Sequence, residues 1–303
     1  MTTIGIDIGQ SGSRARCTGS RGSEDIAGPG YWSAPIPKLV HDLVVAVAPG
    51  GAELKLGIGL TGYEPQTGQA AAIGAALRAS GISARVAVSD DGLTAYLGAL
   101  GDTAGGMIAA GTGSVAVALD PGVAVARTDG WGSELGDNGS GYWIGREAIR
   151  RALRLVDSRQ ADALTDALVD QFGPIETIAA LWRRQRPGVD EVAAFAHPVI
   201  DLARGGNATC RALLDEAAQL LAGSLVIALR RADLADRAVP YAARGGIFAA
   251  GDIVGAPFRK AVRDLAPAAF YQAPVGDALD GCIRVAELAP SPVLRPLFET
   301  FGD

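Results

Sequence analysis

Residues 4–16 read Ile4-Gly5-Ile6-Asp7-Ile8-Gly9-Gln10-Ser11-Gly12-Ser13-Arg14-Ala15-Arg16. The alternating isoleucines predict a buried strand. Glycine tolerates positive φ, so the segment that follows predicts a tight turn and a returning second strand. That turn comprises Gly9, Gln10, Ser11, Gly12 and Ser13. The rest of the fold is predicted outward from this hairpin.

The chemistry of the hairpin centres on Asp7, a carboxylate inside an apolar strand. Such a carboxylate is costly to bury unless it meets a cation or another partner, and oxygen ligands of this kind suit Mg²⁺. The free N–H groups and hydroxyls of the turn can surround an anion. Together they indicate a nucleotide-phosphate site. The alternative is an ordinary hairpin with a structural glycine.

Composition narrows the class of protein. The chain has 303 residues, 49% hydrophobic and 20% charged, with a formal net charge of −6. This length predicts two domains, each able to bury a core. The sequence lacks a Lys/Arg stripe, which argues against nucleic acid as the main partner. We find neither a signal peptide nor an apolar run of bilayer length, and we therefore expect a cytoplasmic protein without a membrane partner.

The cysteines and histidines offer little chemistry. Cys17, Cys210 and Cys282 lie far apart, without the spacings typical of zinc or cluster sites, and a sparse odd count fits a reducing compartment. His41 and His197 have no second candidate ligand near them in the sequence. Both are predicted to be surface or packing residues.

A second hairpin repeats the pattern of the first. Residues 105–110 predict a strand, Gly111, Thr112, Gly113 and Ser114 a turn, and residues 115–119 a returning strand. Two halves that each open with such a hairpin indicate a duplicated α/β fold with a cleft between two lobes.

The remaining elements follow from periodicity and breakers. Strands are predicted at 54–60 and 86–89, and helices at 37–48, 69–80 and 93–100, with further helices within 158–236. Turns are predicted at 19–30, a glycine-rich loop at 131–145, a helix from Ile144 and another from Pro257. No helix or strand is predicted in the C-terminal tail, residues 290–303.

Two adjacent carboxylates, Asp90 and Asp91, follow the strand at 86–89. A carboxylate at a strand end can accept a proton from a substrate hydroxyl during phosphoryl transfer. Acidic residues are also favoured at helix N-termini, and this structural alternative suits Asp90 better.

Four separated stretches together resemble a known family. They are residues 7–11, residues 111–114, the string 130–145 (GWGSELGDNGSGYWIG) and Gly245-Gly246. The chain resembles the family that groups N-acetylglucosamine kinases and bacterial glucosamine kinases with BadF/BadG-type ATPases, within the actin-like ATPase superfamily. The third stretch is the most specific, and order and spacing match across nearly the whole chain.

The resemblance implies roles for named residues. The first hairpin would grip the terminal phosphates of ATP, with Asp7 holding Mg²⁺, and the second would close over them from the other lobe. Gly245 and Gly246 would lie against the adenosine, and Asp91, in preference to Asp90, would be the general base. The resemblance implies that Asp137, Trp131 and Gly132 contact the sugar. We also expect contacts from Thr61 and Tyr31. Tyr31 belongs to an aromatic loop, 28–32, that could instead pack as a lid on its own core.

Two domains are expected: residues 1–104 with 277–303, and residues 105–276. Because relatives are often dimers, we expect a homodimer.

The sequence departs from the family pattern at several positions, and these differences affect which sugar we expect as the acceptor. Gly12 stands where lysine is frequent, Asn138 where glutamate is common, and the 28–31 loop lacks the usual asparagine. We therefore expect phosphorylation of the 6-hydroxyl of D-glucosamine, whose amine could meet Glu299 or Asp303.

The first alternative is an N-acetylglucosamine kinase, and the second is an ATPase that activates a radical dehydratase or reductase, for which the cysteines give no cluster motif. A third alternative, a non-catalytic sugar-responsive regulator, would need a helix-turn-helix ahead of the first hairpin. That hairpin begins at residue 4, which argues against this alternative.

Overall fold

The computed structural model describes residues 2–10, 12–18, 25–48, 53–64, 66–289, 292–294 and 297–302. Ser11 and Asp303, which the sequence analysis singled out, lie outside these residues. Two separate sheets, of six and five strands, form the framework, and helices pack against both.

The described residues among the first hundred form five strands and three helices. In chain order they are β1 (Thr2–Ile8), β2 (Gly12–Cys17), β3 (Ile26–Pro29), α1 (Ile36–Val47), β4 (Leu54–Leu60), α2 (Gln69–Ala79), β5 (Ala84–Asp90) and α3 (Asp91–Leu100). The strand β3 was missed in the segment predicted as turns. It pairs with β2, because the hairpin leaves that edge of the sheet open.

The central part of the chain is mostly helical. It contains β6 (Gly105–Ala110), β7 (Ser114–Asp120), β8 (Ala124–Asp129), α4 (Gly141–Asp157), α5 (Ala163–Phe172), α6 (Ile175–Arg184), α7 (Val189–Ala194), α8 (Ala196–Arg204), α9 (Ala208–Arg231), β9 (Pro240–Arg244), α10 (Asp252–Leu265) and β10 (Phe270–Tyr271). Two predicted helix starts were wrong. Ser140 caps α4 by accepting a hydrogen bond from the N–H of Trp143, and α10 begins five residues before Pro257, which it accommodates.

The chain ends with α11 (Ala278–Val285) and β11 (Phe298–Phe301). The tail is therefore not irregular, because β11 adds an antiparallel edge strand to β5. Glu299 on β11 accepts a 2.7 Å hydrogen bond from the N–H of Ala70, near the start of α2. Its carboxylate caps that helix, and this removes the reason for expecting it to meet a sugar amine.

Five strands of the first sheet have the same topology as the five strands of the second, which confirms the duplicated α/β fold, and β11 is an addition to the first sheet. In the first, β1 pairs antiparallel with β2 and parallel with β4, in the order β11-β5-β4-β1-β2-β3. In the second, β6 pairs antiparallel with β7 and parallel with β9, in the order β10-β9-β6-β7-β8. Each hairpin turn thus lies at the carboxyl end of a central strand.

Helix α3 lies between the two sheets. Its buried Leu93, Tyr96 and Leu97 form one apolar cluster with Met107 and Val117 of the second sheet. Because α3 follows directly from β5, its first residue lies at the carboxyl edge of the first sheet and next to the second hairpin. This placement brings Asp91 to the boundary between the sheets.

Helix α11 packs against β1, β4 and α3 at backbone distance. A Cβ atom added to Gly57 on β4 would lie 1.7 Å from the carbonyl oxygen of Cys282. One added to Gly98 on α3 would lie 1.9 Å from the oxygen of Asp277. Contacts this short leave no room for a side chain, so packing requires glycine at both positions.

Helix α9 is long and apolar enough to cross a membrane, contrary to our expectation that no segment has this length. It is instead a core helix, since 61% of its apolar window is buried within the molecule. It packs on β6, β7 and β8 and against α10. Its buried residues include Leu213, Leu221 and Leu225.

Candidate active site

A cleft of about 560 Å³ lies between the two sheets. We call it the central cleft. From the first part of the chain it is lined by the predicted residues Gln10, Tyr31, Thr61 and Asp91. From the second it is lined by residues 111–114, Trp131, Gly132 and Asp137. The structure thus brings together most of the residues predicted to contact a phosphate or a sugar.

Asp91 is the first residue of α3, and its side chain lines the central cleft. Thr61, at the end of β4, donates a hydrogen bond to Asp91 Oδ2 at 2.5 Å. This bond orients one carboxylate oxygen. An ionised carboxylate has acceptor capacity on both oxygens, so Asp91 can still accept a proton from a hydroxyl group bound in the cleft.

Asp90 has a different environment, since its side chain is buried. Its Oδ1 accepts the N–H of Gly92 at 2.9 Å, so it is the N-cap of α3. Its Oδ2 lies 3.1 Å from Nε of Arg127 on β8, a charge contact that is not aligned as a hydrogen bond. Burial, and then the charge of Asp91, raise the pKa of Asp90 to about 6, against the lowering effect of Arg127.

Replacing Arg127 with methionine is expected to destabilise the protein more at pH 8 than at pH 5. The pKa of Asp90 lies above its value in an unfolded chain, so ionisation of this group costs stability as pH rises from about 4 to about 6, and the cost then stays constant. Without Arg127 the carboxylate would be buried unpaired at pH 8 and protonated at pH 5. Because Arg127 is partly exposed, we expect a loss of about 2 kcal/mol at pH 8, and clearly less at pH 5.

Urea unfolding at the two pH values measures this difference. The matched control is the double variant Asp90→Asn/Arg127→Met, whose neutral asparagine can still cap α3. It should show little dependence on pH across this range. Equal destabilisation by Arg127→Met at both pH values would contradict the assignment of the charge contact.

The first hairpin places Asp7 at the end of β1, where it forms a 2.9 Å ion pair with Arg14. Burial raises the pKa of Asp7, while Arg14 lowers it and Asp91 raises it further. A mostly buried carboxylate near a second one is a setting that favours a cation. Mg²⁺ is commonly held by one or two carboxylates together with phosphate oxygens and waters, so Asp7 fits a magnesium ligand.

The other residues of this hairpin do not all reach the cleft. Gln10 lines it, whereas Gly9 donates to the oxygen of Gly12 at 2.9 Å and closes the turn. Ser13, predicted to grip phosphate, has a buried hydroxyl, and a Cβ atom on Gly28 would lie 2.7 Å from its oxygen. The side chain of Ser13 therefore lies on the face of the sheet that Leu43 of α1 covers, because alternate residues of β2 point to opposite faces.

The second hairpin turn is held by the start of α4. The N–H of Gly141 donates to the oxygen of Gly111 at 2.8 Å, and that of Tyr142 to Thr112 at 3.1 Å. The N–H of Ser114 donates to Asp137 Oδ1 at 3.2 Å. These bonds fix the turn against the glycine-rich loop, so the two predicted motifs form one structural unit.

A second cavity, of about 430 Å³, lies on the other side of this turn. Gly111 and Thr112 line both cavities, and Gly246 lines the second. Gly245 has φ +102°, and a Cβ atom there would lie 2.2 Å from the oxygen of Ala110, so only glycine fits. His197, predicted to be a surface or packing residue, is on the rim of this cavity.

Two residues at or beside the central cleft were not identified from the sequence. Arg127 and Asp129 lie on β8, a strand that was not predicted. Arg127 donates to the carbonyl oxygens of Asp129 and Gly130 at 3.3 and 3.2 Å. The segment Asp120-Pro121-Gly122-Val123 is a turn signal between two apolar stretches, and it could have revealed the strand.

Two duplicated sheets with a glycine hairpin from each at one cleft define the actin-like ATPase fold. The chain belongs to the BadF/BadG/BcrA/BcrD ATPase family, whose profile it matches over residues 4–281.

One relative and two similar solved structures are named as sugar kinases. An N-acetylmuramic acid/N-acetylglucosamine kinase of Clostridium acetobutylicum is 28% identical over 174 residues, 56% of this chain and 57% of that protein. The alignment thus spans little more than half of that relative. A putative N-acetylglucosamine kinase from Chromobacterium violaceum has a TM-score of 0.70 at 24% identity, over 94% of this chain and 98% of that one. A glucokinase of the ROK family from Streptomyces griseus has a TM-score of 0.61 at 19% identity, over 95% and 99%. The two solved structures share the fold of this protein.

Proposed function

We propose that the protein is an ATP-dependent sugar kinase whose acceptor is an N-acetylated amino sugar of the N-acetylglucosamine type. One observation carries the proposal: the Gly111–Thr112 turn is a wall common to two cavities, and Asp91 lies in one of them. A nucleotide in the second cavity could direct its terminal phosphate past this turn, toward a hydroxyl group beside Asp91. In-line phosphoryl transfer requires this arrangement of donor and acceptor.

The residues of the chain have distinct tasks in this proposal. Asp91, oriented by Thr61, accepts the proton of the acceptor hydroxyl. N–H groups of the two turns bind phosphate oxygens and offset their charge. Asp7 would hold Mg²⁺, which when bound neutralises negative charge on the phosphates. Residues 1–104 with 277–303 would form one lobe and residues 105–276 the other, and closure would exclude water. We further propose that the enzyme is a cytoplasmic homodimer.

The proposed acceptor differs from the one first expected. Free glucosamine was favoured because a rewritten loop and an acidic tail could suit an amine. Glu299, however, caps α2. The named substrates of the Clostridium relative include N-acetylglucosamine and not the free amine. Both points support the acetylated sugar, which was our first alternative.

Turnover on a small panel of sugars tests the proposal. With Mg²⁺ and ATP, ADP release is expected with N-acetylglucosamine at a rate at least about tenfold above that with glucosamine, glucose or no sugar, a difference of about 1.4 kcal/mol. Faster release with glucosamine would restore the original expectation. Release that ignores every sugar would contradict the kinase and favour the partner-activating ATPase. The side chains of Cys17, Cys210 and Cys282 are all buried, which gives that alternative no support.

A further inference from the structure

Asp129 is a buried carboxylate at the end of β8, immediately before the loop that contains Trp131 and Asp137. Its backbone has φ +62°, in the left-handed region that residues other than glycine seldom adopt. A buried charge in an unfavourable conformation is retained only where the surroundings compensate for it. The hydrogen bonds of its side chain supply that compensation.

Five donors converge on this carboxylate. Oδ1 accepts the N–H groups of Gly130 at 2.9 Å and Asp137 at 2.7 Å. Oδ2 accepts the N–H of Asn138 at 3.0 Å and its side-chain amide at 3.3 Å. The hydroxyl of Ser224, on α9, also donates to Oδ2 at 3.3 Å. Both oxygens therefore accept more than one bond, which a neutral amide could not reproduce.

These bonds join the two ends of one loop. Gly130 begins the loop and Asp137 and Asn138 end it, and Trp131 and Gly132, which line the central cleft, lie between them. The carboxylate thus closes residues 130–138 into a ring and ties it to α9. The same bonds hold Asp137 at φ +56°, with its own carboxylate on the N–H of Ser114.

We infer that Asp129 is a positioning residue that clasps the 130–138 loop and thereby determines affinity for the sugar acceptor. The inference rests on the proposed function, because it takes the loop as part of the acceptor site. Asp129 does not line the cleft itself and acts through Trp131, Gly132 and Asp137. Its removal should weaken sugar binding much more than nucleotide binding, because the N–H groups of Gly141 and Tyr142 still hold the second hairpin turn.

The test is the variant Asp129→Asn. Asparagine adopts left-handed backbone conformations readily, so the substitution isolates the acceptor capacity of the carboxylate from the conformation of the chain. We expect the KM for the sugar to rise on the order of tenfold or more while the KM for ATP stays within about twofold. Amide hydrogen exchange in peptides covering 130–138 should accelerate even without sugar.

Two further variants make the result interpretable. Asp233→Asn changes an exposed aspartate that also has positive φ, +55°, and it should alter neither KM nor exchange in the loop. Ser224→Ala removes one of the five donors, and we expect an increase of about twofold to threefold in the KM for the sugar. Ser224→Ala also decides the question if Asp129→Asn does not fold.

Each outcome bears on a different claim. Unchanged exchange in residues 130–138 overturns the clasp. Faster exchange or a lower melting temperature with an unchanged KM for the sugar overturns the positioning role. If the wild-type enzyme phosphorylates no sugar, the proposed function fails on its own, and so does the role in acceptor affinity. The exchange data still show whether Asp129 orders the loop.

Discussion

Asp91→Asn is expected to lower kcat by a factor of about 10² to 10⁴, with the KM for ATP little changed. Asparagine has nearly the same shape and can still accept the hydrogen bond from Thr61, so the start of α3 should be preserved. What it lacks is the capacity to take a proton from the acceptor hydroxyl. Steady-state ADP release with N-acetylglucosamine, together with equilibrium nucleotide binding, measures both quantities.

Asp90→Asn is the matched control, because it removes the neighbouring carboxylate, which does not itself line the cleft. Asparagine keeps the cap on Gly92, so kcat should stay within about tenfold of the wild type. A near-normal rate for Asp91→Asn together with a collapse for Asp90→Asn would move the general base to Asp90. Similar large losses in both variants would point to damage at the start of α3 and not to proton transfer.

The sequence predicted those features of the site that depend on local chemistry. The hairpins could be predicted because alternating apolar residues and glycine-rich turns are short-range signals. The string 130–145 could be recognised as a loop because it is rich in glycine. In the structure Gly130, Gly132 and Gly139 all have positive φ. The role of Asp91 as general base was implied by the family resemblance, whereas the prediction that Asp90 caps the helix followed from the preference for acids at helix N-termini.

Other features could not be predicted, because they depend on which surfaces meet after folding. Arg127 approaches Asp90 only once β8 has docked beside the start of α3, and no sequence spacing links these two residues. The donors of Asp129 come from positions up to 95 residues away along the chain. The hydroxyl of Ser13 fits the pattern of a phosphate loop, yet the pleat of β2 places it on the face of the sheet that α1 covers. Strand β11 pairs with β5 only because that edge of the sheet is open.

Helix α11 also depends on contacts distant in sequence, and Gly281→Ala is expected to destabilise the protein by about 3 kcal/mol or more. Alanine normally stabilises a helix interior relative to glycine. At position 281, however, the added Cβ atom would lie 1.7 Å from the carbonyl oxygen of Thr94 and 2.8 Å from the nitrogen of Gly98. Both are backbone atoms of α3, so no side-chain rotation relieves the clash, and the two helices must separate.

Gly223→Ala in α9 is expected to change the stability of the protein in the opposite direction. It makes the same chemical change inside a helix, but no heavy atom lies within 4 Å of the added Cβ atom. It should therefore stabilise the protein, by about 0.5–1 kcal/mol. Urea unfolding midpoints for the two variants and the wild type measure both effects. A Gly281→Ala protein as stable as the wild type would contradict the close packing of α11 on α3.

The same substitution links stability to catalysis, because α3 carries Asp91 at its first residue. A shift of α3 large enough to admit a methyl group would displace Asp91 relative to Thr61, whose position is set by β4. The 2.5 Å hydrogen bond between them would then lengthen or break. We therefore expect Gly281→Ala to lower kcat even at temperatures where the variant remains folded, whereas Gly223→Ala should leave kcat unchanged. Normal kcat in folded Gly281→Ala would mean that the strain is absorbed by α11 and does not reach the site.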